Sequence, residues 1–317
     1  MRLIINLPAY NEEKKIAETI MNINRSIPPF TEVLVQVVDD GSRDATSAEA
    51  KRGGADFVYT RAMNRGIGWT FRESAEHALE NGADIMVNID ADGQFDSNDI
   101  AKLVAPILSG DAHMVSADRF GGVEAKDMPW IKSTLNQLAA NLIGGFMGHP
   151  IKDLTCGFRA YSRETLMRLN LPGEFTYTQE TIIDALGKGM KVLWIPVEVT
   201  YFTDRKSRVV KSIWKYVQNS SRLILRAVRD VRPMKFFGRP GYTLLALSLA
   251  IFVAFFYQYF THNFAVTPYL NYVFFGSITF LVGVQLVIFA FIADMIKSNR
   301  RITEDILYHA KRARYDK

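Results

Sequence analysis

Val87-Asn-Ile-Asp-Ala-Asp-Gly-Gln94 is the stretch on which the fold turns. Its apolar part, Ile85–Ile89, reads as a short strand, and the strand ends by placing two carboxylates, Asp90 and Asp92, one residue apart. An Asp-x-Asp at a strand's exit can hold a hard divalent cation through oxygen ligands and leave its other positions to phosphate groups. The same residues also suit an ordinary acidic turn, since Asp and Gly both favour turns. The surrounding chain separates these readings.

Working outward, the first 200 residues alternate strand and helix. Leu3–Leu7, Val33–Val38, Phe57–Tyr59, Ile85–Ile89 and Met114–Ala117 have strand character; Glu12–Ile27, Ala45–Arg52, Thr70–Glu80 and Asn98–Leu108 have helical periodicity. Such alternation predicts an α/β fold, a mostly parallel sheet with helices on both faces. Ligands of these sheets bind beyond the carboxyl ends of the strands. The polar clusters fall at those ends: Pro8-Ala-Tyr-Asn-Glu12, Asp39-Asp-Gly-Ser42, Asn64-Arg-Gly-Ile-Gly68 and Asp90-Ala-Asp92. Collected on one edge, they describe a nucleotide-type pocket.

The chain's net charge of +5 hides a segregation. Residues 1–204 carry 20 Lys and Arg against 28 Asp and Glu, residues 205–239 carry 11 against one, and residues 297–317 carry seven against three. The two basic segments flank Gly241–Thr261 and Leu270–Ala293, which contain no Lys, Arg, Asp or Glu and are long enough to cross a hydrocarbon core of about 30 Å as helices. The connector, His262–Pro268, has no Lys or Arg, so the positive-inside rule puts both termini in the cytoplasm of an integral inner- or plasma-membrane protein. Tyr257, Tyr259, Tyr269 and Tyr272 lie near the connector, as an interfacial aromatic belt does. Lys211–Val231 has the period of an amphipathic helix with a basic face, which suits either anionic lipid headgroups or a solvated surface of the soluble domain. With the membrane supplying a polyanion, nucleic acid is not an expected partner. No cleavable leader is legible, because the apolar run after Arg2 stops at Pro8. The single cysteine, Cys156, excludes an intrachain disulfide framework and a multi-cysteine metal site.

The ordered set Pro8-Ala-Tyr-Asn-Glu12, Asp39-Asp-Gly-Ser42, Asp90-Ala-Asp92, Asp153-Leu-Thr-Cys-Gly-Phe-Arg159 and Arg205-Lys-Ser-Arg-Val-Val-Lys211 resembles the family 2 inverting glycosyltransferases of the GT-A fold. Within them it is most similar to the dolichyl- and polyprenyl-phosphate sugar synthases, and the two-span hairpin is similar to that of the bacterial undecaprenyl-phosphate enzymes. The resemblance covers about residues 1–212. It implies that Pro8, Tyr10, Glu12, Asp39, Asp40, Asn64 and Gly66 face the nucleotide, and that Asp90, Asp92 and Gln94 surround Mg²⁺ or Mn²⁺. It also implies that Asp153 lies near acceptor and sugar, with Arg119, Lys132, Arg205 and Lys211 as cationic partners of the phosphate groups. The final motif departs from the family's Arg-x-Ser-Gly-x-Ser-Lys at Arg208 and Val209-Val210, and Lys132 stands where the family often has Arg.

The implied organisation is a cytoplasmic catalytic domain over 1–210, basic juxtamembrane helices over 211–239, two membrane helices over 240–296 and a basic tail over 297–317. The implied partners are a nucleotide sugar, UDP favoured, and a polyprenyl phosphate. A phosphate acceptor is already ionised at neutral pH, so no strong general base is required, which suits a chain with five His and no Ser-His-Asp pattern. Asp153 and Arg159 also suit a structural salt bridge beneath the pocket. Glu180 suits helix capping as well as catalysis, and Trp130–Met147 suits a lipid entrance or plain packing on the sheet. A processive polysaccharide synthase would need a Gln-x-x-Arg-Trp motif and further spans, neither of which is present. A non-catalytic membrane scaffold would not need Asp90 and Asp92. Gly276 and Gly283 allow close helix packing and so a homo-oligomer, although bilayer tolerance of Gly explains them equally.

Overall fold

The run Leu3-Ile-Ile-Asn-Leu-Pro-Ala9 has no polar face to give to water, and it forms an interior strand of a seven-stranded sheet. The structure is a computed structural model that describes residues 1–121, 130–171, 177–200, 231–261 and 266–316, together with Ser221, Leu225 and Arg229. Side chains of residues 130–133 and 135 lie outside that description. The chain divides into two compact units, Met1–Ile224 with Ile306–Lys317, and Leu225–Asp305.

In the first unit the strands are β1 (Arg2–Ala9), β2 (Glu32–Asp39), β3 (Phe57–Thr60), β4 (Ile85–Asn88), β5 (Met114–Asp118), β6 (Arg159–Ser162) and β7 (Val192–Pro196), arranged β3-β2-β1-β4-β6-β5-β7. All neighbours are parallel except β6, which is antiparallel to β4 and β5. The helices are α1 (Ile16–Met21), α2 (Thr46–Arg52), α3 (Ile67–Glu80), α4 (Ile100–Leu108), α5 (Trp130–Met147), α6 (Arg163–Arg168) and α7 (Thr178–Gly187). β1 is buried from Leu3 to Ala9, as a central parallel strand covered on both faces should be.

Register carries the polar clusters to one level. Ala9 pairs with Asp39, Asp39 with Thr60 and Asn6 with Asn88, so the exits of β1, β2, β3 and β4 form one rim. β6 runs the other way: Arg159 pairs with both Asn88 and Ser116, so the segment that enters β6, Asp153–Phe158, arrives at this same rim.

The five predicted strands all form, whereas β6 and β7 were not predicted. β6 hides Arg159 and Tyr161 in the core, and no apolar pattern announces it. β7 is an edge strand ending in Pro196, where a missing N–H does no harm. The helix expected over Glu12–Ile27 is only Ile16–Met21. Asn11 takes a positive φ of 52°, and the chain turns as Lys15 and Ile16 donate to the Glu12 carbonyl before α1 begins. α5 turns Asn136, Ala140, Ile143 and Met147 inward while Leu138 and Leu142 stay exposed.

Two further helices, α8 (Arg239–Thr261) and α9 (Leu270–Tyr315), are long and apolar enough to cross a membrane. Most of the Lys211–Val231 segment lies outside the described residues. In the second unit the backbones of α8 and α9 meet at glycines. A Cβ on Gly241 would stand 2.9 Å from Val287 Cγ2 and 3.2 Å from the Gly283 carbonyl, and one on Gly283 would stand 3.1 Å from the Leu245 nitrogen. Ser248 Oγ donates to the Gly276 carbonyl at 2.9 Å. Gly283→Leu is therefore expected to destabilise the hairpin by about 1–3 kcal/mol, as overpacking does, read as a lower thermal unfolding midpoint in detergent.

The last turns of α9 belong to the first unit. Arg163, at the start of α6, donates to the Tyr315 carbonyl and to Asp316 Oδ1 at 3.1 Å, and Arg314 donates to Glu80 at 2.7 Å. The Arg168 guanidinium stands 4.2 Å from the Tyr308 ring centroid.

Candidate active site at the sheet rim

β4 ends at Asn88, and Asp90 and Asp92 follow where the strand's hydrogen bonding stops. Ile89 still donates to the Asn6 carbonyl, which holds the exit in line with β1. Asp92 Oδ1 then accepts from the Gln94 N–H at 3.1 Å, closing a tight turn through Gly93 at φ 72°. Asp90 and Asp92 both keep some accessible surface. Burial first, then the charge of Asp92 and that of Glu12, pushes the Asp90 carboxyl up to about 7, against the pull of Arg119 and Arg159. Two carboxylates crowded at a strand exit form a site short of positive charge. Among the described residues no three His, Cys, Asp or Glu side chains cluster into a metal cage. The donor set fits a hard cation of the Mg²⁺ or Mn²⁺ kind, which takes one or two carboxylates and fills its shell with phosphate oxygens and water.

The rim loops of β1 and β2 are laced together. Asn11 N donates to Ser42 Oγ and Glu12 N to Thr46 Oγ1, both at 2.8 Å. Asp39 accepts from Ser42 and from Ser47 Oγ. Asp40 accepts from Arg61 Nη1 at 3.0 Å, from Arg65 N at 2.9 Å and from Gly66 N at 2.7 Å. Both carboxylates are nearly fully buried, so their oxygens organise the loops around the pocket. Gly41 permits this crossing: at φ 71°, a Cβ there would stand 2.6 Å from the Met63 carbonyl carbon. Pro8, Tyr10, Glu12, Asn64 and Gly66 all lie in or beside these loops.

Asp153 is fully buried at the entry to β6, and its partner is Arg119 at the exit of β5. Arg119 donates Nε to Oδ2 at 2.7 Å and Nη2 to Oδ1 at 3.0 Å, a bidentate pair, and Nη2 also reaches Thr155 Oγ1 at 2.7 Å. Asn136 on α5 and the backbone N–H groups of Thr155 and Cys156 donate to Oδ1 as well. Burial alone would raise the Asp153 carboxyl; Arg119 and these hydrogen bonds hold it below the usual carboxylate range. Arg159 takes no part in this ion pair. It donates to the Thr178 and Leu154 carbonyls and to Thr181 Oγ1 from inside the core. Burial pushes the Cys156 thiol up to about 12, so it is packing and not a nucleophile.

The rim thus brings together Asp90, Asp92, Glu12, Arg119 and Asp153. Glu12 acts on Asp90 through its charge, which its place in the β1 motif did not reveal. Arg205, Lys211 and the Lys132 side chain lie outside the described residues. Sequence reading gave no role to Asn88 and Gly157, although both lie in quoted motifs, nor to Tyr177; a Cβ on Gly157 would meet both Asp90 and Tyr177 Oη, and Asn88 donates to Tyr177 Oη. A separate cavity of about 350 Å³ opens at the end of α5, between Asn141, Gly144, Gly148 and Pro150.

With this geometry in place, comparison with known proteins decides the family. The model for glycosyl transferase family 2 matches residues 4–169, from β1 into the loop after α6. The chain belongs to that family. Glycosyltransferase AglJ of Haloferax volcanii is 26% identical over 300 residues, covering 93% of each protein. Polyprenol monophosphomannose synthase of Mycolicibacterium smegmatis is 26% identical over 219 residues, 66% of this chain and 80% of that protein. Among solved structures, glucosyl-3-phosphoglycerate synthase from Mycobacterium tuberculosis, in complex with Mn²⁺, UDP and phosphoglyceric acid, superposes with a TM-score of 0.55 at 22% identity, covering 73% of this chain and 78% of that one. The GT-A expectation is met: family 2 glycosyltransferases are enzymes of sugar transfer, and this one adds two membrane-length helices.

Proposed function

We propose that this glycosyltransferase moves a sugar from a nucleotide sugar, UDP-linked, to a polyprenyl phosphate at the cytoplasmic face of the membrane. The observation that carries the proposal is the pairing, in one chain, of the Asp90–Asp92 rim with two membrane-length helices. A polyprenyl tail is costly to extract from a bilayer, at about 0.8 kcal/mol per CH₂, so the pocket must work at the headgroup plane. The relative named for polyprenol supports the acceptor class. The basic segments on either side of the helices, and the membership of both Met1–Ile224 and Ile306–Lys317 in one unit, support a chain that crosses twice and returns to the cytoplasm. The exposed Leu138 and Leu142 on α5 support a lipid-facing border beside Asn136.

In this reading Asp90, Asp92 and Gln94 hold Mg²⁺ or Mn²⁺, which when bound screens the charge that develops on the departing diphosphate. The loops pinned by Asp39 and Asp40, with Pro8, Tyr10, Glu12, Asn64 and Gly66, form the nucleotide's bed. Arg119, kept in place by Asp153, Lys132, Arg205 and Lys211 supply positive charge to the phosphates. An acceptor phosphate oxygen attacks the anomeric carbon; the new C–O bond forms as the bond to the nucleoside diphosphate breaks, with inversion. The acceptor arrives ionised, so no side chain needs to take its proton.

The deciding experiment incubates the enzyme in membranes with polyprenyl phosphate and a panel of labelled UDP- and GDP-sugars, and scores label that becomes lipid-soluble. No lipid-linked label from any donor would refute the acceptor class. A second expectation concerns pH. The proton on Asp90 competes with a cation until the pH passes about 7. Mn²⁺ affinity is therefore expected to rise about tenfold from pH 6 to pH 8 and to flatten above, as followed by the paramagnetic resonance of free Mn²⁺.

A further inference from the structure

A polar chain runs through the core beneath the rim, and its last member stops beside Asp90. Gln36 on β2 donates to Asn6 Oδ1 at 2.9 Å, Asn6 on β1 donates to Asn88 Oδ1 at 2.7 Å, and Asn88 on β4 donates to Tyr177 Oη at 2.8 Å. Asn88 also donates to the Gly157 carbonyl at 3.1 Å, so its oxygen and both amide hydrogens are engaged and its orientation is set. Tyr177 Oη donates to the same carbonyl at 3.3 Å, and its ring lies flat on Phe71, with centroids 4.3 Å apart and planes 6° apart.

Asp90 rests on the end of this chain. A Cβ built on Gly157 would stand 3.0 Å from Asp90 Oδ1, 3.2 Å from Asp90 Oδ2 and 3.0 Å from Tyr177 Oη. Near-equal distances mean that both carboxylate oxygens crowd the space where a Gly157 side chain would stand. The backbone there has no positive φ, so glycine is needed at this position for space and not for conformation.

We propose that Gly157, Asn88 and Tyr177 are positioning residues that fix the direction of the Asp90 carboxylate and so set the affinity of the rim for its divalent cation. This rests on the reading of Asp90 as a metal-facing carboxylate. Free carboxylates turn about their Cβ–Cγ bond and lose entropy when they take up a cation. Here the glycine below and the hydrogen-bonded phenol beside it make that loss in the fold beforehand, in the way that groups behind a metal's ligands usually orient them. A purely structural network is the competing account, and the two differ in what they change. Loss of packing moves thermal stability, whereas loss of aim moves metal affinity.

Tyr177→Phe keeps the ring on Phe71 and removes the hydroxyl; Gly157→Ala adds the methyl group that meets the carboxylate. The test titrates MnCl₂ alone into the full-length protein in detergent, reading free Mn²⁺ by paramagnetic resonance, alongside thermal unfolding. Gly157→Ala is expected to weaken Mn²⁺ binding about tenfold or more and Tyr177→Phe several-fold. Tyr177→Phe also leaves one buried Asn88 N–H without its acceptor and so lowers the unfolding midpoint by a few degrees, which by itself does not change Mn²⁺ affinity. Should Gly157→Ala fail to fold, Tyr177→Phe decides. Unchanged Mn²⁺ affinity in Tyr177→Phe, where Asp90→Asn loses binding, would overturn the positioning role alone. Unchanged affinity in Asp90→Asn as well would overturn the metal reading beneath it.

Discussion

Asp92→Ala is expected to cut sugar transfer by about a thousandfold or more while leaving a folded, membrane-bound protein. A cation and its ligands facing a departing diphosphate supply several kcal/mol of stabilisation to charge that exists only as the bond breaks. Asp92 is half of the carboxylate pair, and without it the rim offers a cation Asp90 as its single carboxylate. The cost to folding should be small. Asp92 keeps some exposed surface, and its bond to Gln94 N closes a turn that Gly93 also favours, a contact worth about 1 kcal/mol. The measurement is turnover of labelled donor across a range of Mg²⁺ and Mn²⁺, with circular dichroism and membrane fractionation as the folding control. Turnover near that of the unaltered enzyme at any cation concentration would remove the metal from the mechanism.

Asp153→Ala should act through stability. Asp153 has no exposed surface, and it receives six donors: two from the Arg119 guanidinium, one from Asn136 and the backbone N–H groups of Arg119, Thr155 and Cys156. Removing one side of a buried ion pair typically costs about 3–5 kcal/mol, because the partner's charge stays in place without compensation. Asp153→Asn retains an acceptor and should lose less. Denaturant unfolding in detergent gives the comparison; a loss under about 1 kcal/mol for Asp153→Ala would mean that Arg119 finds another partner. The lowered carboxyl of Asp153 adds a pH signature. Its stabilisation is present in full above the ordinary carboxylate pKa and is lost as the pH falls through its lowered value. In Asp153→Asn that acid-side loss should disappear.

Much of the fold was legible from the chain alone. Near-continuous apolar runs gave away the buried parallel strands, since a strand covered on both faces cannot alternate. The rim followed, because a parallel sheet turns all its exits one way. What escaped was whatever a local pattern misreports. β6 is the case in point: Arg159 and Tyr161 look like surface residues, yet both lie in the core, where Arg159 finds three carbonyl or hydroxyl acceptors and the aromatic ring of Tyr161 packs near Phe71. The structural salt bridge held open as an alternative for Asp153 and Arg159 forms instead between Asp153 and Arg119, which the β5–β6 pairing brings to Asp153.

Periodicity and composition by themselves determined the parallel core, the membrane-length helices and the presence of two carboxylates at a strand exit, because hydrophobic spacing and charge are written residue by residue. Tertiary structure alone decided what those carboxylates meet. Asn88 reaches Gly157 and Tyr177 across 69 and 89 residues of chain, and Arg119 reaches Asp153 across 34. Contacts made over such separations depend on strand order and direction, and one antiparallel strand inserted into a parallel sheet brings those partners to the rim.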